Sequence, residues 1–230
     1  MTTDTTFKPG QALTSYGPIQ LANRLGLTQW QVARARTDGL IPAPSGAGRW
    51  PAAAVDEVAE RADAIRTAVG SVPNVGANRA EDYLAERFCM PVPGGTAAEL
   101  ATMGLLPVVG DYKGHTLYCG RTLEAFADRA ALEDAAVRGR LLTRVEAARH
   151  LTIRDCDFAH LVRAGLVTPR ERRLGPFQSR RARPTVPLYR AGDLDALSAL
   201  DDIDWAAVRA TPAGSHSPLA KLPTAKEATL

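Results

Sequence analysis

The feature that most limits the fold is a short punctuation mark that returns at intervals of 65 and 61 residues. It reads Gly39-Leu40-Ile41-Pro42, then Gly104-Leu105-Leu106-Pro107, then Gly165-Leu166-Val167 with Pro169 one residue late. A glycine followed by two apolar residues and a proline ends a helix. Glycine takes the left-handed C-cap conformation at no steric cost, and proline cannot continue the helix. The apolar pair between them docks the exit strand on a core.

Two further anchors keep step with it. Downstream stand Trp50, Tyr118 and Tyr189, each followed by apolar residues five and eight positions later (Val55 and Val58, Leu123 and Phe126, Leu194 and Leu197). The i, i+3 relation of those residues marks one face of a helix. Upstream, Ala22 and Leu25 precede Gly39 by 17 and 14 residues, and Ala148 and Leu151 precede Gly165 by the same distances. The middle copy supplies Ala85 and Phe88, with two extra residues in the connection. Three anchors in one order predict three tandem units, over 14–69, 76–132 and 138–208. The stretch Gly70 to Asn78, rich in Gly, Pro and Asn, reads as a linker. Residues 1–13 read as a flexible N-terminus. The Pro, Ala, Ser and Thr of 211–230 read as a disordered tail.

Helix, tight turn, helix, Gly-Leu exit, hairpin and third helix is the order of a winged helix-turn-helix. The expected fold class is mainly α with small β-hairpin wings, in tandem winged helix-turn-helix units. The third unit carries Leu142-Thr143-Arg144-Val145-Glu146-Ala147-Ala148-Arg149-His150-Leu151, then Ala164-Gly165-Leu166-Val167, then Leu188-Tyr189-Arg190-Ala191-Gly192-Asp193-Leu194. This resembles the winged helix-turn-helix of the MerR and phage-excisionase superfamily. The first unit shows the same elements in Leu21-Ala22-Asn23-Arg24-Leu25, Gly39-Leu40-Ile41-Pro42 and Arg49-Trp50, and the middle unit matches least. The resemblance implies DNA binding. The chain departs from MerR regulators in having no single long dimerisation helix after a wing and no effector domain bearing metal or drug ligands. A tandem array of excisionase-like units fits better.

Charge placement agrees with that expectation. The net charge of +3 is modest, but of the 28 basic residues only Lys8, Lys113, Lys221 and Lys226 are lysines. A GC-rich genome accounts for much of the arginine bias, though not for where the arginines sit. From Arg170 to Arg190 seven arginines face Glu171 alone, and over 138–190 thirteen arginines meet four acids, a net of +9. A wing of this charge binds phosphates with a steep salt dependence. In this fold the second helix lies in the major groove. Counting back from the glycines places Val32, Ala35, Phe158 and Leu161 inward. It places Thr28, Gln29, Gln31 and Arg34 outward in the first unit, and Arg154, His160 and Arg163 outward in the third. With Arg49 in the short first wing and Arg170, Arg172, Arg173, Arg180, Arg181, Arg183 and Arg190 in the long third one, these are the expected DNA contacts. Asp155 and Asp157 read as helix N-terminal charges. The middle unit, from Gly76 to Tyr118, has three cations against five acids, a net of −2. Glu99 there aligns with Arg34, so the middle unit reads as a spacer or a protein-contact surface.

Other chemistry is sparse. Cys89, Cys119 and Cys156 are odd in number and form no C-x-x-C pair, which fits a reducing cytoplasm. Cys156 and His160 share helical spacing but lack the second ligand pair a metal needs. No serine has a nucleophile-elbow context and no glycine loop cradles phosphate, so no enzyme and no cofactor is expected. No apolar run approaches membrane-spanning length, and the N-terminus lacks the pattern of a signal peptide. The expected partner is double-stranded DNA, with a homodimer or protein partner through the middle unit. The expected role is a cytoplasmic, nucleoid-associated bacterial regulator. An architectural, excision or plasmid-phage maintenance factor, or a protein-interaction module, is the alternative.

Overall fold

The computed structural model describes residues 13–174 and 185–224. It is mainly helical, with small antiparallel sheets among the described residues. The chain divides into two compact bodies. One holds the residues through Asn74 together with Cys119–Ala125, and the other holds Val75–Tyr118 with the chain from Phe126 onward.

The first body begins with β1 (Ser15–Tyr16), α1 (Pro18–Leu25) and α2 (Gln29–Thr37). Pro18 starts α1, where its missing N–H costs nothing, and Gly26 ends it in the left-handed conformation. Thr28 and Gln31 cap α2 reciprocally. A single-turn loop at Gly46–Gly48 leads to β2 (Trp50–Pro51), then α3 (Ala52–Ala59) and α4 (Ala62–Val69). Leu21, Leu25, Val32, Ile41, Val55 and Val69 fill the core. Trp50 lies among them and donates its indole N–H to Pro42 O at 2.8 Å. The stretch read as a linker is pinned here. Glu124 of α7 (Gly120–Ala125) accepts from Ser71 N at 3.0 Å and from Ser71 Oγ at 2.6 Å.

The second body holds α5 (Ala77–Phe88), α6 (Thr96–Thr102) and the hairpin β3 (Val108–Tyr112) and β4 (His115–Tyr118). That hairpin turns on Lys113 and Gly114, both at positive φ, the twist two-residue hairpin loops favour. Then come α8 (Arg129–Arg138), β5 (Leu141–Leu142), α9 (Arg144–His150), α10 (Asp155–Arg163), β6 (Glu171–Leu174), β7 (Thr185–Arg190), α11 (Ala191–Ser198) and α12 (Trp205–Ala210). The sheet order is β5-β7-β6. The α6 and α8 backbones approach closely, and a Cβ on Gly95 would lie 2.1 Å from Gly139 O.

One frame of burial runs through the chain three times. Trp50, Tyr118 and Tyr189 pair antiparallel with Tyr16, Val75 and Leu142. Each of those partners stands immediately before the N-cap of the helix that follows it, at Gly17, Gly76 and Thr143. Gly39, Gly104 and Gly165 all have φ between 72° and 75°. Ile41, Leu106 and Val167 behind them are buried, as are the residues five and eight past each aromatic.

Three further departures from the sequence reading concern the architecture. Counted from the N-cap, the inward residues of the middle first helix are Ala80, Glu81 and Leu84, matching Leu21, Ala22 and Leu25, and not Ala85 and Phe88. A buried carboxylate in an apolar slot hid the alignment, and α5 is longer at 12 residues. Second, a further helix follows α3, α7 and α11 in turn: α4, α8 and α12. Third, the segment read as a disordered tail is packed through residue 224. Its Pro218–Lys221 turn seats Leu219, 3% exposed, in the core beside Trp205 and Val208.

Candidate nucleic-acid interface

On α2 the sequence-predicted contacts separate into two groups. Thr28 is an exposed N-cap whose N–H and hydroxyl donate to Gln31 Oε1 at 2.9 and 3.0 Å. Gln31 is 8% exposed and donates its amide to Gly70 O at 2.9 Å. It is therefore a capping and anchoring residue and not an outward reader, a correction to the sequence reading. Arg34 is corrected likewise. Its guanidinium donates to Val69 O at 2.6 Å, Val72 O at 3.0 Å and Asn74 Oδ1 at 2.7 Å, and it stacks on Trp30. Burial lowers its pKa. The helix leaves Gln29, Ala33, Arg36 and Thr37 exposed. Sequence reasoning passes over Arg36, because outward counting from Gly39 does not distinguish it from Arg34. Arg49 is exposed and binds Ser15 Oγ and Ser15 O, both at 2.8 Å, so it also secures β1.

On α10 the same sorting applies. Arg154 stands at the N-cap and grips Asp157 with two hydrogen bonds of 2.7 and 2.8 Å. Its remaining N–H donates to Pro212 O at 2.6 Å and Ser215 O at 3.0 Å. Its donors are spent on the protein, which corrects its assignment as a groove contact. Asp157 is fully buried and serves as the cap partner, in line with its expected role. Arg163 is exposed and reaches Ala220 O at 3.2 Å, while His160 is half-buried. Cys156 is an exposed free thiol.

The arginines on and beside β6 and β7 differ in their surroundings. Arg170 and Arg172 are exposed and have no ion-pair partner among the described residues. Arg173 alternates to the other face, where it pairs with Glu171 at 2.7 Å and lies against Gly94. Glu171 raises its pKa. Arg190 is only 15% exposed, bound to Asp193 at 3.2 Å and to the buried Glu99. This removes Arg190 from the expected DNA surface. Arg180, Arg181 and Arg183 lie outside the described residues.

Glu99 is 1% exposed, with Arg138 Nε at 3.2 Å on one oxygen and Arg190 on the other. It ties α6 to the base of β7 and is not a surface carboxylate. Arg34 and Glu99, aligned by counting back from Gly39 and Gly104, thus both serve internal anchoring. Glu81 is also buried. Its Oε1 accepts from Gly95 N at 2.8 Å and Ala97 N at 3.2 Å, capping α6 where Gly95 has no side chain. The β3–β4 hairpin carries a different surface, with Val108, Val109 and Tyr112 46–61% exposed.

Among the described residues no three His, Cys, Asp or Glu side chains gather as metal ligands do. No helix of the described residues is long and apolar enough to cross a membrane. The chain matches no known protein family, no curated protein and no solved structure.

Proposed function

We propose that the chain binds double-stranded DNA in a sequence-specific way, as a bacterial transcriptional regulator built from three winged helix-turn-helix units over 14–69, 76–132 and 138–208. The observation that carries this reading is the pair Arg170 and Arg172. Arg172 on the hairpin strand β6 and Arg170 just before it stand exposed, without an ion-pair partner among the described residues, after the helix pair α9–α10. Exposed arginines on such a strand suit phosphates, and a second helix beside them suits a major groove. In the first unit the open face of α2, with Gln29 and Arg36, supplies amide and guanidinium groups of the kind that pair with adenine and guanine edges. The middle unit is a connector, with its carboxylates Glu81 and Glu99 buried.

Selection of bound fragments from genomic DNA, followed by gel shift across a salt series, tests the reading. A recurring site whose affinity falls steeply with salt supports it, and salt-independent or absent binding overturns it. The exposed apolar hairpin Val108–Tyr118 favours a second reading, a protein partner docked through the middle unit. Capture of a partner that a Tyr112→Asp change abolishes, without a DNA site, would favour that reading.

A further inference from the structure

A cavity of about 580 Å³ opens in the second body, walled by residues 90–93, one face of α8 and the start of α11. That volume suits a small molecule. Its surface is mostly apolar, with Met90, Val92, Ala136 and Val137 among the lining residues. Val137 is 64% exposed, an apolar side chain left to water. Glu133, Ala136 and Val137 line the cavity from one face of α8, and Arg140 lines it from just past the helix's C-cap, Gly139.

The charges are not equivalent. Glu133 is paired with Arg129 at 3.3 Å. His150, also at the wall, is held by Asp195 at 2.6 Å. The Arg140 side chain has no ion-pair or hydrogen-bond partner among the described residues, though its charge helps to lower the Glu146 pKa. At its end the backbone closes, Ala191 N donating to Arg140 O at 2.9 Å. The cavity therefore joins an apolar body to one guanidinium with no ion-pair partner among the described residues.

We propose that this cavity binds a small monocarboxylic acid with an apolar body. One guanidinium matches one carboxylate through two parallel hydrogen bonds. A dianion would leave a charge uncompensated near Glu133. An apolar cation would meet Arg140 in place of a counter-charge.

Decanoate, decanol and decylamine, each below its micelle concentration, are the probes. Binding is followed by calorimetry and by methyl NMR of Met90 and Val137. Decanoate should bind saturably, shift those methyls and bind more tightly than decanol, with decylamine weakest. Arg140→Gln should cost decanoate about tenfold and leave decanol unchanged, the loss of one charge-assisted contact. Val137→Trp, at an exposed position that tolerates bulk, should block both. Equal binding of acid and amine overturns the proposal. So do shifts confined to Val108 and Val109, or an Arg140→Gln variant that keeps the preference for acid. None of these readouts involves DNA, so they stand or fall apart from the proposed DNA binding.

Discussion

Arg154 and Asp157 form a two-bonded pair at the start of α10, with Asp157 fully buried and Arg154 reaching on to the carbonyls of Pro212 and Ser215. The pair joins a helix cap to the C-terminal segment. Burial alone would push the Asp157 carboxyl up. The hydrogen bonds and charge of Arg154, with a hydrogen bond from Ser217, outweigh burial and hold it below the usual carboxylate range. A depressed folded pKa contributes stability that is present above the unfolded value, about 3.9, and is lost as pH falls through the folded one. Glu124 and Glu146 are lowered too and act with the same sign. Asp157→Asn should cost about 1–3 kcal/mol at pH 7 through the hydrogen bonds it weakens. Urea denaturation from pH 3 to 7 should show a shallower acid loss in the variant than in the parent. Parallel curves would refute the coupling.

Glu99 and its two arginines make a second prediction. Read as a surface residue, Glu99 would tolerate reversal to arginine. Buried between Arg138 and Arg190, it cannot, because Glu99→Arg puts a third guanidinium into a site nearly closed to water. Breaking a buried pair costs about 3–5 kcal/mol. The variant should melt well below the parent or fail to fold, and Glu99→Gln should lie between them. A melting temperature unchanged by Glu99→Arg would return the residue to the surface.

The contrast between these residues and the repeat anchors shows what a single sequence holds. Gly39, Gly104 and Gly165 announce themselves because the left-handed conformation is a local demand. Val55, Leu123 and Leu194 do so because burial on a helix follows a fixed period. Arg34 and Arg190 carry no such mark. A guanidinium on a helix or strand has the same spacing whether it meets phosphate, water or a carbonyl 35 residues away, as Arg34 does at Val69. Glu81 is harder still, since a carboxylate in an apolar slot contradicts the pattern that would locate it. Thr28 and Gln31 were readable. Their T-x-x-Q spacing is a capping box, and that local signal ranks above the outward count that made Gln31 a DNA contact.

Glu81 gives the opposite pH sign to Asp157. Burial pushes its carboxyl above the usual range, and the amides of Ala97 and Gly95 only partly offset it. An acid with a raised folded pKa loses stability as pH rises from its unfolded value, about 4.3, through the folded one. Glu81→Gln keeps an oxygen acceptor for the α6 cap and removes the titration. Measured against the parent, its melting temperature should therefore improve as pH rises above about 4.3 and level off once the folded carboxyl has ionised. A constant difference over that range would mean that Glu81 ionises in the folded protein as freely as in the unfolded one.

The wing arginines supply a prediction that separates binding from folding. Arg170 and Arg172 are exposed and lack ion-pair partners among the described residues, whereas Arg190 is half-buried against Glu99. Replacing Arg170 and Arg172 with alanine should leave the melting temperature unchanged. It should weaken DNA binding to all sequences alike and reduce the slope of log affinity against log salt by about 2, one counterion per phosphate lost. Arg36→Ala, on the open face of α2, should instead narrow the gap between the selected site and random DNA, since a base contact carries selectivity and a phosphate contact does not. Arg190→Ala should lower the melting temperature, because it leaves Glu99 buried with a single partner. If Arg190→Ala flattens the salt slope while Arg170→Ala and Arg172→Ala do not, the charge that meets DNA lies on the opposite side of the hairpin from the one assigned here.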